Sequence, residues 1–238
     1  MTDEELNRVL MVMAHPDDAE FSSAGTVAKW AEEGREVYYV ICTNGDKGSS
    51  DPEMTPGRLA IIREQEQRAA AAVLGVKEVV FLGYGDGELE DTREFRGKIV
   101  RLIRKYKPDI VVTMNPYAHG NIFVQHRDHR MCGTATLDAI YPYSRDRLHF
   151  PEHIKEGLEP HKVKEVYLTG AGSEANVWVN IEETLDKKVD ALLCHRSQIG
   201  NRTKEEFMEG WRNMAARMSP PPEGMRYAES FRRIELRR

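Results

Sequence analysis

The sequence predicts an α/β fold in which helices wrap a mostly parallel central sheet. Short, continuous apolar runs, typical of strands buried on both faces, alternate with helical segments through the first two thirds of the chain. Strand, loop, helix and strand in that order indicate a parallel sheet. The 238 residues, 40% hydrophobic and 31% charged, suffice for one domain with a sizeable core. We therefore expect a single α/β domain over residues 1–238.

The predicted elements follow one another along the chain. Strands are predicted at residues 9–13, 37–42, 79–82 and 110–113, and helices at residues 22–33, 57–74 and 92–106. Ser22 or Ser23 is a suitable N-cap for the first helix, and Gly34 and Gly75 are suitable stops after the first two. Later strands are predicted at residues 166–168 and 176–179, and a helix at residues 182–195. From about residue 201 the polar chain, with prolines at 220–222, predicts an irregular C-terminal extension.

Composition argues against several classes of protein. The net charge of −5 argues against a broad electrostatic grip on nucleic acid. Cys42, Cys132 and Cys194 are odd in number and far apart in sequence, which predicts no disulfide framework and a reducing, cytoplasmic location. No apolar run approaches the roughly 20 residues that a membrane span requires, and the N-terminus lacks the apolar segment of a signal peptide. We expect neither a nucleic-acid partner nor a membrane span.

The first candidate site follows the first predicted strand, where His15, Asp17, Asp18 and Glu20 fall within six residues. In open parallel sheets, ligands bind outside the carboxyl ends of the strands. Carboxylates crowded at such an edge repel one another and lose hydration, so they need a compensating positive charge. Histidine nitrogen and carboxylate oxygen suit zinc or another first-row divalent metal. The alternative is that Asp17 or Asp18 only caps the next helix.

A second cluster, His126, Asp128 and His129, follows the strand predicted at residues 110–113. Parallel topology places this cluster at the same edge of the sheet as the first. One histidine can bind the metal, and an aspartate can orient an imidazole through its other nitrogen. The alternative is a pair of surface histidines in a polar loop. Because both clusters follow strands, the metal site is the favoured interpretation.

The residue types indicate hydrolysis of an amide. A catalytic zinc keeps three protein ligands and an open position for water, whose pKa falls towards about 7. Of the two acids in the first cluster, one can bind the metal and the other can act as a base. A histidine that does not bind the metal can protonate the leaving amine. The arrangement offers no covalent nucleophile.

The two clusters resemble the metal motifs of the PIG-L / LmbE-like zinc-dependent N-deacetylases. The motifs read AHPDDAE at residues 14–20 and HRDH at residues 126–129. Weaker similarity occurs at residues 43–46, 63–64, 82–87, 108–111 and 195–198, so the resemblance covers roughly residues 8–200. It implies a Rossmann-like, three-layer fold and removal of an N-acetyl or related acyl group from a sugar-like substrate, such as an N-acetylglucosamine derivative. It also implies a homo-oligomer, a trimer or a hexamer.

The resemblance implies a role for each motif residue. His15 and Asp18 match the first two zinc ligands, and His129 matches the third. Asp17 matches the general base that activates the attacking water. His126 matches the histidine that stabilises the charged intermediate and protonates the amine. Iron, cobalt and nickel compete with zinc for such ligands.

Further positions carry weaker implications. Asp128 would orient one of the two histidines of its own motif, and Arg63 and Asp86 match sugar-contacting positions. The alternatives for the last two are a solvent-facing helix residue and a turn former. Arg127 stands where many members have proline, and Val124 stands where some sugar deacetylases place a tyrosine that polarises the substrate carbonyl. The polarising group is therefore left open.

Competing functions share the same residues. A metal-dependent amidase could act instead on a thiol-sugar conjugate or another acylated amine. The chain could also be a non-catalytic metal-binding protein or a cofactor-binding Rossmann-like module. The first strand lacks a GxGxxG turn, and its acidic continuation would repel a pyrophosphate. Asp17 separates catalysis from simple metal retention, because retention has no use for a spare base.

Overall fold

The computed structural model describes residues 6–117, 125–215 and 224–236. Val124 and the prolines at 220–222 lie outside these ranges. The strands are β1 (Arg8–Met13), β2 (Glu36–Thr43), β3 (Glu78–Tyr84), β4 (Ile110–Met114), β5 (Glu165–Thr169), β6 (Val177–Asn180) and β7 (Ala228–Glu235). The helices are α1 (Asp18–Glu32), α2 (Pro56–Leu74), α3 (Arg93–Tyr106), α4 (Arg127–Asp138), α5 (Pro151–Lys155), α6 (Leu185–Leu192), α7 (Arg196–Ile199) and α8 (Lys204–Ala215).

The strands form one mixed sheet in the order β3-β2-β1-β4-β5-β7-β6, flanked by helices. The first five strands in this order are parallel, which confirms the predicted α/β fold with a mostly parallel sheet. From β1 the chain builds outward to β3, then returns to place β4 on the other side of β1. The strand order reverses between β1 and β4, and this switch point is where open α/β sheets bind ligands.

The core lies around the central strands. Residues 9–14 have no exposed surface, which explains why β1 reads as an unbroken apolar run. Its neighbours β2 and β4 are nearly as buried, whereas β3, at the edge, is half-buried. Within the described residues, no helix combines the length and apolar character needed to cross a membrane.

The C-terminal segment differs from its prediction as an irregular extension. It contains α8 and the strand β7, which pairs antiparallel with β5 on one side and with β6 on the other. The segment therefore contributes a strand that lies between β5 and β6 in the sheet. The sequence pattern did not predict β7 because the strand carries charged side chains in place of an apolar run. One of them, Arg233, pairs with Glu165 of the neighbouring strand β5. The single domain stays a prediction.

The start of α1 is also a correction. The helix was predicted from Ser22 but begins at Asp18, so Asp18 and Glu20 occupy its first turn. Asp17 takes the N-cap position in a left-handed conformation and forms no side-chain cap hydrogen bond. The polar motif thus spans the start of the helix, because His15 and Asp17 precede α1 while Asp18 and Glu20 lie in its first turn.

Candidate active site

Three connections bring the candidate residues to the switch point. The turn from β1 into α1 carries His15, Asp17 and Asp18. The loop after β3 carries Asp86, and the first turn of α4 carries Asp128. All three strands end at the same edge because they are parallel.

The His15 imidazole lies among three carboxylates. Its Nε2 is 3.1 Å from both Asp86 Oδ1 and Asp128 Oδ2, and its Nδ1 is 3.3 Å from Asp18 Oδ2. Burial alone would lower the pKa of His15, but its hydrogen bonds to Asp128, Asp18 and Asp86 outweigh burial and raise the pKa to about 12. A carboxylate cluster that stabilises one cation so strongly is suited to holding a metal ion.

Asp18 joins the two motifs. Its Oδ1 lies 3.2 Å from His129 Nε2, while its Oδ2 contacts His15. Burial would raise the pKa of Asp18, but the contacts with His129 and His15 outweigh it and hold the pKa well below its usual range. Asp18 is therefore an ionised carboxylate between two imidazoles.

The spacing of these donor atoms fits a metal centre. Donors about 2.0–2.1 Å from a tetrahedral zinc lie roughly 3.4 Å apart. Asp18 approaches both histidines at about this spacing through different oxygens, with Oδ1 3.2 Å from His129 Nε2 and Oδ2 3.3 Å from His15 Nδ1. Donor atoms of His15, His126 and His129 also lie within 4.8 Å of one another, as do those of His15, Asp86 and Asp128. The residues present can thus hold a metal ion in more than one combination.

Asp128 differs in its partner from the expectation. Its carboxylate contacts His15 of the first motif and accepts hydrogen bonds from the backbone N–H groups of Gly87 and Leu89. Its own backbone N–H donates to His126 Nδ1, at 3.2 Å. Burial, reinforced by the nearby His15 and His129, lowers the pKa of His126. In neutral His126 the proton therefore resides on Nε2.

Asp17 is held apart from the cluster. Its φ of 95° places it in the left-handed region, and its backbone N–H donates to Gln67 Oε1 at 2.9 Å. Its carboxylate oxygen Oδ2 accepts a hydrogen bond from the Arg63 guanidinium at 3.0 Å. Burial raises the pKa of Asp17 to about 7, although the Arg63 charge opposes this shift. A carboxyl group with that pKa can take up a proton near neutral pH.

Arg63 and Asp86, the expected sugar-contacting residues, both lie at the site. Arg63 is not the solvent-facing helix residue of the alternative interpretation, because it is only 3% exposed and donates to the carbonyl oxygens of Pro16 and Gly45 as well as to Asp17. Asp86 is half-buried against His15. Contact of either residue with a sugar stays a prediction.

The site also contains Gln67, Glu20 and His195, which had no predicted role. The sequence offers one signal for Gln67, its spacing from Arg63. Gln67 follows Arg63 by four positions, so both project from one face of α2 towards Asp17. The Gln67 amide also donates to Glu20, and Glu20 contacts His195. His195 Nε2 lies 3.1 Å from this carboxylate.

Sequence comparison agrees with this geometry. The family described as PIG-L, GlcNAc-PI de-N-acetylase, matches residues 10–140, which include both motifs and Arg63, Gln67 and Asp86. The chain belongs to the PIG-L family. The diacetylchitobiose deacetylase of Thermococcus kodakarensis is 33% identical over 233 residues, 96% of this chain and 83% of that protein.

Other family relationships point the same way. The structure of N,N'-diacetylchitobiose deacetylase from Pyrococcus horikoshii, in complex with its inhibitor MPG, matches with a TM-score of 0.87 and 30% identity, covering 96% of this chain and 84% of that one. Mycothiol S-conjugate amidase of Streptomyces coelicolor is 31% identical over 174 residues, 64% of this chain and 57% of that protein.

Proposed function

We propose that this PIG-L family chain is a metal-dependent hydrolase that removes an N-acetyl group from a sugar such as an N-acetylglucosamine derivative. The observation that carries the proposal is the separation of two kinds of carboxylate. Asp18 and Asp128 contact histidines, whereas the Asp17 carboxylate contacts Arg63 and its backbone contacts Gln67. The names of the two diacetylchitobiose deacetylases support the acetylated sugar as substrate.

The metal site is proposed to consist of His15, Asp18 and His129, as the family resemblance implies. Zinc is the proposed ion, and when bound it would polarise the substrate carbonyl and acidify water. Asp128 would orient His15 through the ring nitrogen it contacts, an arrangement that fixes metal-binding histidines. The backbone N–H groups of Gly87 and Leu89 fix Asp128 in turn.

The reaction then needs two proton transfers. Asp17 takes a proton from the water whose oxygen attacks the amide carbon. The amide C–N bond breaks, and the proton that Asp17 took passes to the departing nitrogen, so the products are acetate and an amine. Neutral His126 donates a hydrogen bond from Nε2 to the charge that develops on the carbonyl oxygen. The hydrogen bond from Asp128 N–H to His126 Nδ1 keeps the His126 proton on Nε2, the nitrogen that donates this hydrogen bond.

A second candidate is an amidase acting on a thiol-sugar conjugate. The similarity to a Mycothiol S-conjugate amidase favours it, because both reactions cleave an amide. A reducing cytoplasm and a trimeric or hexameric assembly accompany the proposal as predictions. Light scattering of the purified protein tests the assembly.

The first experiment measures acetate release by the zinc-loaded protein from a panel of N-acetylated sugars and one acylated thiol-sugar conjugate. We expect release from at least one sugar, and a loss of roughly 10²-fold or more in Asp17→Asn with metal content unchanged. Full activity in Asp17→Asn would contradict its role as base. Cleavage of the conjugate alone would favour the amidase.

Metal content tests the ligand set. His129→Ala is expected to lose the metal, because it removes a donor 3.2 Å from Asp18. His126→Ala is expected to keep the metal and lose activity. Loss of the metal in His126→Ala would instead favour the three-histidine combination. His149→Ala, outside the site, is the matched control.

A further inference from the structure

The backbone of Asp17 has an unusual conformation. Its φ of 95° and ψ of −23° lie in the left-handed region, which only two other non-glycine residues adopt in the described parts of the chain. Such a conformation persists only when the surrounding structure determines it. The residue that supplies the proposed base is therefore held in place by something other than its own preference.

The Gln67 side chain binds the Asp17 backbone. Its Oε1 accepts the hydrogen bond of the Asp17 N–H at 2.9 Å, and Gln67 has no exposed surface. Arg63, one turn earlier on α2, binds the Asp17 carboxylate and the Pro16 carbonyl oxygen. Arg63 therefore restrains the side chain and the preceding carbonyl, while Gln67 restrains the Asp17 N–H itself.

The orientation of the Gln67 amide is set by two further buried residues. Because Oε1 must accept from Asp17, Nε2 points the other way and donates to Glu20 Oε1 at 3.0 Å. Glu20 Oε2 lies 3.1 Å from His195 Nε2. Gln67, Glu20 and His195 are all 0% exposed, so no water competes for these hydrogen bonds. His195 Nδ1 has no hydrogen-bond partner among the described residues, so the ring is oriented through Nε2 and Glu20.

We propose that Gln67, Glu20 and His195 are positioning residues that hold the Asp17 backbone in its left-handed conformation and so direct its carboxylate towards the substrate. The proposal rests on the proposed function, in which Asp17 is the base. The chain of hydrogen bonds reaches from α2 through the first turn of α1 to the residue before α7. It thus ties the C-terminal part of the domain to the catalytic turn, without contact with the substrate.

The first test is Gln67→Leu, which keeps the size of the buried side chain but removes both hydrogen bonds. We expect kcat to fall by roughly 10- to 100-fold, the loss typical of a misplaced catalytic group, with KM changed by less than about threefold and metal content unchanged. Gln65→Leu is the control, since Gln65 is exposed on the same helix. Equal rates in the two variants, or loss of metal in Gln67→Leu, would overturn the proposal.

The second test exchanges the two polar side chains. Gln67→Glu places a second carboxylate about 3 Å from Glu20 and is expected to lower kcat at least tenfold. Adding Glu20→Gln restores every donor and acceptor, because residue 67 still accepts from Asp17 and residue 20 now donates to it while accepting from His195. Recovery of kcat to within about threefold of the wild type supports the proposal, and a double variant no faster than Gln67→Glu refutes it.

A crystal structure of Gln67→Leu separates this proposal from the proposed function. Movement of Asp17 out of the left-handed region supports the positioning role even if the wild type hydrolyses none of the sugars, a result that would count against the proposed function alone. An unchanged Asp17 conformation overturns the positioning role, whatever the activity of the wild type.

Discussion

A buried ion pair offers a test of how the C-terminal strand stabilises the first helix. Glu229 of β7 and Lys188 of α6 are both almost fully buried, with Nζ and Oε1 2.5 Å apart. The Glu229 carboxylate accepts hydrogen bonds from the backbone N–H groups of Gly25 and Thr26 in the middle of α1. Lys188 donates to the Phe21 carbonyl oxygen, which an uninterrupted helix would offer to Gly25. The pair thus replaces part of the hydrogen bonding of α1.

The expected cost of Lys188→Met follows from this geometry. Methionine fills most of the volume, so the loss is electrostatic: one buried carboxylate without its counter-charge and one carbonyl without its donor. Breaking a buried pair in this way costs about 3 to 5 kcal/mol. The adjacent Lys187 pairs with Glu32 at the surface, where both side chains are 48% exposed, and such a pair contributes about 0.2–1 kcal/mol. Lys187→Met is therefore a matched control.

Urea unfolding measures both variants. Lys188→Met is expected to lower the midpoint urea concentration by roughly 1 to 2 M, with little change in the slope of the unfolding free energy against urea. Lys187→Met is expected to lower the midpoint by only about a few tenths of 1 M. Adding Glu229→Gln to Lys188→Met is expected to recover part of the loss, because the amide keeps an acceptor for α1 and removes the uncompensated charge. Similar midpoints for Lys188→Met and Lys187→Met would refute the reasoning.

Two further predictions concern residues outside the site. His153 is buried, and its ring stacks on that of Phe150 with the ring centroids 5.3 Å apart. Burial lowers the pKa of His153. The unfolded chain then binds more protons, so stability is lost as the pH falls through about 6.5. His153→Phe should flatten this decline in urea titrations, and parallel curves would contradict the assignment. Cys194 is partly exposed while Cys42 and Cys132 are buried, so a thiol reagent should modify one thiol rapidly in the native protein and three after unfolding. A second fast thiol would refute this.

The central strands and the location of the site were predictable because burial leaves a direct trace in the sequence. A strand buried on both faces is predominantly apolar, as residues 9–13 and 110–112 are. Parallel strands end at one edge, so two polar clusters that follow such strands must approach each other. These two constraints place His15 and His129 together without any knowledge of the contacts between them.

The surroundings of Asp17 were less predictable because they depend on partners far away in sequence. The pair Arg63 and Gln67 looks like part of a polar helix face, and its burial arises only when α2 packs beside the turn after β1. Glu20 is separated from His195 by 175 residues. The two thiols of Cys42 and Cys132, 90 residues apart, likewise meet at 3.7 Å, as no sequence spacing indicates. Local sequence patterns indicate which segments are buried and whether they are helices or strands. They do not indicate which distant polar side chains come into contact.

The close packing of α4 against the end of β4 places the second motif at the site. Gly133 lies one turn after His129, on the same face of the helix. A Cβ at Gly133 would stand 2.4 Å from the Met114 carbonyl oxygen and 2.9 Å from Pro116 Cδ. Only glycine permits so close an approach of α4 to the end of β4, although glycine inside a helix costs about 1 kcal/mol relative to alanine. Since His129 shares that face, the approach that requires glycine is the same one that brings its Nε2 to 3.2 Å from Asp18.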